Sequence, residues 1–275
     1  MAEALRRAAV AGSWYPGTAG ALRREVEGHL SAADGPAPPG ALVGLISPHA
    51  GIMYSGPVAA FGYRLLRGRP ATTVVLVGPS HRALFDGVAV YGKGAFETPL
   101  GEAAVDEELA RALTSAHPKI RHDTGPHAFE HSLEMQLPFL QHVMPGLRIV
   151  PMLLGTQARS EVDALAGALA QVLAGRDALL VASSDLSHYH SSREAAVLDA
   201  KVVAEVEAFD DAALMARLES YHGHACGGGA MVAVMAASRA LGAREATVLR
   251  YADSGDVPEG DKSRVVGYLS AAFTR

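Results

Sequence analysis

Three short stretches each place a histidine just beyond an apolar run. Residues 44–56 read GLISPHAGIMYSG, and His49 follows Ser47-Pro48 with only Ala50 and Gly51 beside it. Residues 77–81 read VGPSH and set His81 two positions after Pro79. Residues 182–190 read ASSDLSHYH and carry Asp185 and His188. A neutral imidazole is a ready metal ligand, and proline fixes φ near −65° on the approach, which suits a ligand held in place before an ion arrives. His49 and His81 are therefore candidate metal ligands. Cys226, the one cysteine, precedes Gly227-Gly228-Gly229 and an apolar helical run, where helix-end amides favour a thiolate. A thiolate completing two imidazoles is a sound donor set for an ion. The glycines also permit close backbone approach to a ligand.

Each residue also has a plainer reading. A lone histidine is often a satisfied core or loop residue, and a buried free cysteine often packs as a small hydrophobe. Asp185 can cap the segment after it, or it can ligate a metal or orient an imidazole, while His188 reads as a proton donor or acceptor near substrate. His190 reads as solvated, and Tyr54 as packing or as a wall of the crevice. The run HAFEH, His127–His131, fits a zinc-peptidase pattern only if both histidines lie on an established helix. Pro126 predicts that the helix only begins there. His131 and Glu134, at i and i+3 on a helix over 130–143, are expected to support the crevice edge. The glycines form neither a phosphate loop nor a dinucleotide fingerprint.

Elements that could hold these residues alternate along the chain. Strands are predicted at 41–46, 73–78, 87–91, 147–154, 178–182, 246–251 and 265–273. Helices are predicted at 19–31, 56–67 (capped by Ser55, with Pro57 in its first turn), 103–115, 130–143, 161–173, 192–208 and 227–241. Residues 86–100 are expected to form a hairpin, and the Pro/Gly-rich stretch 32–40 to separate the leading helix from the body. This alternation predicts one α/β domain over residues 1–275, a three-layer αβα sandwich around a mixed, largely parallel sheet. In such sheets ligands sit beyond the carboxyl ends of the strands, where His49, His81, Asp185 and His188 fall.

Composition narrows the function classes. The 275 residues carry a net charge of −5 with histidines neutral, so no basic field points to nucleic acid. No apolar run reaches the roughly 18 residues of a membrane helix, and the N-terminal stretch lacks the apolar core of a signal peptide. A single cysteine excludes an intrachain disulfide and favours a reducing compartment. The expectation is a soluble cytoplasmic protein that contacts neither membrane nor nucleic acid.

The ordered set SPHAGIMYSG, GPSH, FETPLG, EHSLEMQLPF, SSDLSHY, CGGGA and YADSGD…VVGYLSAAF resembles the Memo family, known in prokaryotes as protein B of the AmmeMemoRadiSam system. The resemblance runs from about Trp14 to Phe273. It implies a fold like that of the class III extradiol ring-cleaving dioxygenases, and a metal cleft whose ligands match His49, His81 and Cys226, with Asp185 and His188 as further polar groups. Those dioxygenases use a carboxylate as third ligand, whereas Cys226 matches that position here. The implied activity is redox or dioxygenase-like chemistry on a metal, Fe(II) first and zinc or copper also compatible, with an unidentified small-molecule or peptide ligand and a radical-SAM partner by family analogy. Two other classes compete: metal-free thiol catalysis by Cys226 with His188 or His224 as base, and a non-enzymatic binding module on an enzyme fold.

Overall fold

A computed structural model describes residues 5–258 and 260–275. The first half of the chain contains β1 (Leu5–Arg6), α1 (Ala19–Ala32), β2 (Leu42–Ser47), α2 (Ile52–Tyr63), β3 (Thr73–Pro79), β4 (Val88–Val90), β5 (Ala95–Thr98), β6 (Gly101–Val105), α3 (Glu107–Ala116) and β7 (Ile120–His122). The second half contains α4 (Leu137–Val143), β8 (Arg148–Leu154), α5 (Arg159–Leu173), β9 (Ala178–Ser183), β10 (His188–His190), α6 (Ser192–Glu207), α7 (Asp211–Ser220), α8 (Gly228–Ala240), β11 (Glu245–Asp253) and β12 (Val265–Thr274). No helix is long and apolar enough to cross a membrane among the described residues.

One mixed sheet runs in the order β1-β5-β6-β8-β3-β9-β2-β12-β10, with β11 beside β12 and β4 bridging β7 and β8. Its centre, β8-β3-β9-β2, is wholly parallel, and β12 closes it antiparallel to β2. The central strands are buried almost throughout and rich in Val, Leu and Ile, as strands covered on both faces must be. The two helical layers follow the strand alternation. Gly44 of β2 faces Val234 and Ser238 of α8, while its neighbour Leu45 faces Gly62 of α2. Helix α8 packs with α5 and α7 on one side, and α2 packs with α1 and α4 on the other, which makes the three-layer α/β sandwich.

Several boundaries differ from the sequence reading, each for a local reason. Helix α2 starts at Ile52, a turn earlier than expected. Gly51 precedes it, and the Ser55 hydroxyl donates to the Ala50 carbonyl instead of capping. Residues 101–105 alternate in exposure and pair with β5, so the hairpin is β5–β6 and not 86–100. Asp106 then caps α3 through the Leu109 amide. Residues 130–133 lie outside any helix, a 3-10 turn spans Glu134–Gln136, and α4 begins at Leu137 with Pro138 in its first turn.

Register decides where the chemistry collects. Strand β9 lies between β3 and β2, with Val77 opposite Ala182 and Ser47 opposite Ser183. Parallel pairing at these positions brings the residues just past each strand to one sheet edge. His49, His81 and Asp185 therefore leave the sheet side by side.

Candidate metal centre

His49 is the central residue, with 2% of its surface exposed. Its backbone amide donates to Asp185 Oδ1 at 2.7 Å, and its Nδ1 lies 2.8 Å from Ser183 Oγ. Proton accounting assigns the ring tautomer. Ser183 donates its one hydroxyl proton to the Ser132 carbonyl at 2.7 Å, so toward His49 it must accept. The proton therefore sits on His49 Nδ1, and Nε2 presents a bare lone pair. Gln136 reinforces this, donating from Nε2 to Ser183 Oγ at 2.8 Å while its Oε1 accepts from the Tyr63 hydroxyl at 2.5 Å. Burial first, and then His81 and His131 nearby, hold His49 well below the ordinary imidazole range, so the ring is neutral.

His81 is oriented by Glu130 in the same way. Its Nδ1 lies 3.0 Å from Glu130 Oε1, an acceptor only, so Nδ1 donates and Nε2 is left bare. Burial pushes the Glu130 carboxyl up, but the hydrogen bonds from His81 and from the Ser132 amide outweigh it, and the acid is held well below the usual range. A carboxylate on the far nitrogen of an imidazole is the usual outer support of a metal-binding histidine. His131 stacks on His81 with ring centroids 4.7 Å apart, and Trp14 leans on it at 4.3 Å. Burial lowers the pKa of His131 to about 4.

Cys226 and Asp185 close the other side. Cys226 Sγ lies 3.2 Å from His49 Nε2, and the Asp185 amide donates to the sulfur at 3.3 Å. The close approach depends on Gly227, because a Cβ there would collide with the Ser183 carbonyl. Gln157 grips the same turn from outside: its Nε2 donates to the Cys226 carbonyl and its Oε1 accepts from the Gly229 amide. Burial, then the Asp185 charge, pushes the Cys226 thiol up, so the helix end does not yield the free thiolate expected from sequence. Burial likewise raises the Asp185 carboxyl, against the hydrogen bond from the His49 amide. Asp185 therefore orients the His49 backbone and is not a helix cap. The cap of α6 is Ser191, in a full capping box with Glu194.

His188 is half-buried on β10 and donates from Nδ1 to the Leu186 carbonyl at 2.8 Å, so its Nε2 is an acceptor. Its charge, when protonated, acts on both His49 and Asp185. The register slips between His188 and His190 against β12, and Tyr189 takes φ 67° between them. A bulge with a left-handed aromatic residue re-aims the side chains beside it. Buried Asp199 backs the same loop, accepting from the Ser187 amide at 3.0 Å and the Tyr251 hydroxyl at 2.9 Å.

Donor atoms lie within 4.8 Å of one another in two triples that share His49: His49/His81/His131 and His49/Asp185/Cys226. His81 and Cys226 thus meet through His49 and belong to different triples, with the His81 side chain 30% exposed at the rim. Each triple offers a donor set that fits a divalent ion, three imidazoles in one and an imidazole, a carboxylate and a sulfur in the other, and the His49 Nε2 lone pair faces the Cys226 sulfur.

Other sequence candidates fall elsewhere. Glu134 does not reach the crevice: it is buried against Arg6, the Ala9 and Val10 amides and the Tyr15 hydroxyl. His127 ends a 3-10 turn and donates from Nε2 to the Ala89 carbonyl, so HAFEH lies on no helix and the peptidase pattern fails. His190 is half-buried, and its backbone pairs with Val265. His224 is buried against Tyr221, and no hydrogen bond joins it to Cys226 among the described residues. Ser183, Gln136 and Glu130 are the supporting residues that sequence reasoning missed. The proline at 138, which dates the start of α4, was the available signal that 130–136 is a loop free to turn inward.

The Memo-like protein family matches residues 6–272. A MEMO1 family protein of Methanothermobacter thermautotrophicus is 39% identical over 274 residues, covering 96% of this chain and 98% of its own. One of Methanopyrus kandleri is 39% identical over 283 residues, with 98% and 99% covered. One of Thermotoga neapolitana is 39% identical over 235 residues, with 84% and 83% covered.

Proposed function

Because this chain belongs to the Memo family, we propose that it holds one divalent metal ion with His49, His81 and Cys226 and carries out redox or oxygen-dependent chemistry on a small or aromatic substrate. The observation behind this reading is the pairing of a tautomer-locked His49 Nε2 with Cys226 Sγ at 3.2 Å. Iron(II) is the first choice, ahead of zinc and copper, because two imidazoles with one anionic donor follow the two-histidine, one-acid pattern of non-haem iron with a thiolate replacing the acid. The bound ion would supply Lewis-acid activation of a substrate oxygen and, as iron, electron-transfer capacity.

The surrounding residues have separate tasks. Ser183 and Gln136 hold the His49 ring, and Glu130 holds His81. His188, with Nε2 free, accepts a proton from a substrate hydroxyl and later returns it, and Asp185 keeps the His49 backbone in register. Metal-free catalysis by Cys226 is disfavoured, since burial keeps the thiol protonated. A second reading, with His131 in place of Cys226, draws on the compactness of the three-histidine triple.

Anaerobic Fe(II) titration of wild type, His49→Ala, Cys226→Ala and His131→Ala tests both. The expected result is loss of tight uptake in the first two variants and retention in the third. Unchanged affinity in both His49→Ala and Cys226→Ala would reject the centre, and loss only in His49→Ala and His131→Ala would transfer it to the second reading.

A further inference from the structure

A second cavity lies at the opposite end of the sheet from the metal centre. Strand β2 runs about 20 Å from Leu42 to Ser47, and Leu42 lines this cavity while His49 follows the far end. Its volume is about 510 Å³, within the range of small-molecule sites. The Pro/Gly-rich stretch between α1 and β2 forms one side through Pro38, and Leu42 and Leu65 extend the apolar wall. Thr274 adds a hydroxyl, and the charged residues of the lining are Arg64 and Arg69, both half-buried.

These two guanidiniums lack the partners that cations withdrawn from water normally have. Arg67, between them in sequence, pairs with Glu27 at 2.7 Å, whereas no carboxylate lies within 4.0 Å of Arg64 or Arg69 among the described residues. Asp34, in the loop before Pro36, accepts from the Gly35 amide at 2.7 Å through Oδ1 and pairs with neither arginine. Arg64 donates from Nη2 to the Pro36 carbonyl at 3.2 Å, but its Nε is buried with no acceptor. The Arg69 side chain has no acceptor among the described residues, although its backbone amide closes a turn onto the Leu66 carbonyl. The carboxyl end of α2 favours a cation at Arg64, but Arg69 lies beyond the last turn in which that dipole acts. Phe61 braces Arg64, the guanidinium carbon 5.9 Å from the ring centroid, and Arg250 over the same ring at 5.7 Å adds to the positive field.

We propose that this cavity binds the phosphate monoester of a small organic molecule, its phosphate held by Arg64 and Arg69 and its organic part against Pro38, Leu42 and Leu65. A phosphate near its dianionic form balances two cations, and its three terminal oxygens can accept from both guanidinium forks at once. A carboxylate has two oxygens, which a single fork already satisfies. The apolar wall selects an ester over the bare ion. The site is independent of the metal centre, because none of its lining residues belongs to that crevice.

The experiment is a calorimetric titration of chelator-treated full-length protein with n-butyl phosphate, inorganic phosphate and n-butanol, in wild type, Arg69→Gln and Arg69→Lys. Butyl phosphate should bind wild type at one site and more tightly than inorganic phosphate, and butanol should not bind. Arg69→Gln should weaken the ester about tenfold, as loss of a charge-assisted hydrogen bond does. Arg69→Lys should recover part of that loss, since an ammonium keeps the charge without the fork. Because Arg69 has no partner in the free protein, Arg69→Gln should leave the urea midpoint unchanged without ester and remove most of the rise that the ester gives wild type. Vesicles of phosphatidylcholine containing phosphatidic acid present the same phosphate monoester as a lipid headgroup. Capture by those vesicles without binding of butyl phosphate in solution would overturn the assignment to a small molecule. Equal affinity of the ester for wild type and Arg69→Gln, absence of saturable binding, or butanol binding as well as the ester would overturn the site itself.

Discussion

The N-terminal arm is tied down by one buried acid, and replacing that acid provides a sharp test of how the crevice wall is built. Glu134 is fully buried, and its two oxygens receive four donors: the Arg6 guanidinium, the Ala9 amide at 2.8 Å, the Val10 amide at 3.1 Å and the Tyr15 hydroxyl at 2.5 Å. In Glu134→Gln one of the two oxygens becomes an NH₂, which faces donors, and the charge that balances Arg6, itself 4% exposed, is gone. Breaking a buried pair from one side costs about 3–5 kcal/mol. Arg6→Met should be costly as well, because it strips the His127 and Glu130 carbonyls of their donors and leaves the buried carboxylate without its counter-charge. Urea unfolding followed by Trp14 fluorescence measures both, and Trp14 lies on the arm in question, its carbonyl accepting from the Ile52 amide at 2.8 Å. A loss below about 1 kcal/mol for Glu134→Gln would show that the arm is held by packing and not by this acid.

Three further expectations follow from the same kind of accounting. His127 is buried, and burial lowers its pKa to about 4, so between the unfolded and folded values only the unfolded chain takes up the proton and stability falls as pH drops. The contribution lost from pH 7 to pH 5 is about 2 kcal/mol, and His127→Gln should flatten the pH dependence of the urea midpoint in that window. Ser183→Ala removes the acceptor that sets the His49 tautomer and should weaken Fe(II) binding about 10- to 100-fold in an anaerobic titration while leaving the fold intact; unchanged affinity would place the control of His49 elsewhere. Cys226 should react only slowly with iodoacetamide at neutral pH because burial keeps it a thiol, and more slowly still with Fe(II) present; rapid labelling unaffected by metal would restore the nucleophile reading.

The parts of the site that were legible in the sequence are those written into single strand ends. Pro48-His49, Pro79-Ser80-His81 and Asp185 follow apolar runs whose parallel order could be inferred from strand–helix alternation, so their common edge was foreseeable. The supporting residues were not. Ser183 looks like one more strand residue, and its role exists only because β9 lies between β3 and β2 with Gln136 above it. Apolar spacing predicts a helix that includes Glu130 and His131, whereas the helix begins only at Leu137. The short strands β1, β5, β6, β7 and β10 lack apolar runs of their own and depend on long-range pairing, to which local patterning is blind.

Burial of so many titratable groups in one crevice needs a physical account, since an isolated buried charge is costly. The centre meets that cost by staying close to neutral. His49 and His131 are held unprotonated, Cys226 stays a thiol, and the Asp185 carboxyl is shifted toward its protonated form. Glu130 alone is held firmly ionised, and it is surrounded by donors: the His81 ring and the amides of His81, His131 and Ser132. The same arrangement explains why the outer hydrogen bonds are so fully specified. With little net charge to orient the rings electrostatically, the direction of each bare nitrogen has to come from Ser183, Gln136 and Glu130. Loss of one of these acceptors should therefore change what the crevice binds well before it changes whether the chain folds.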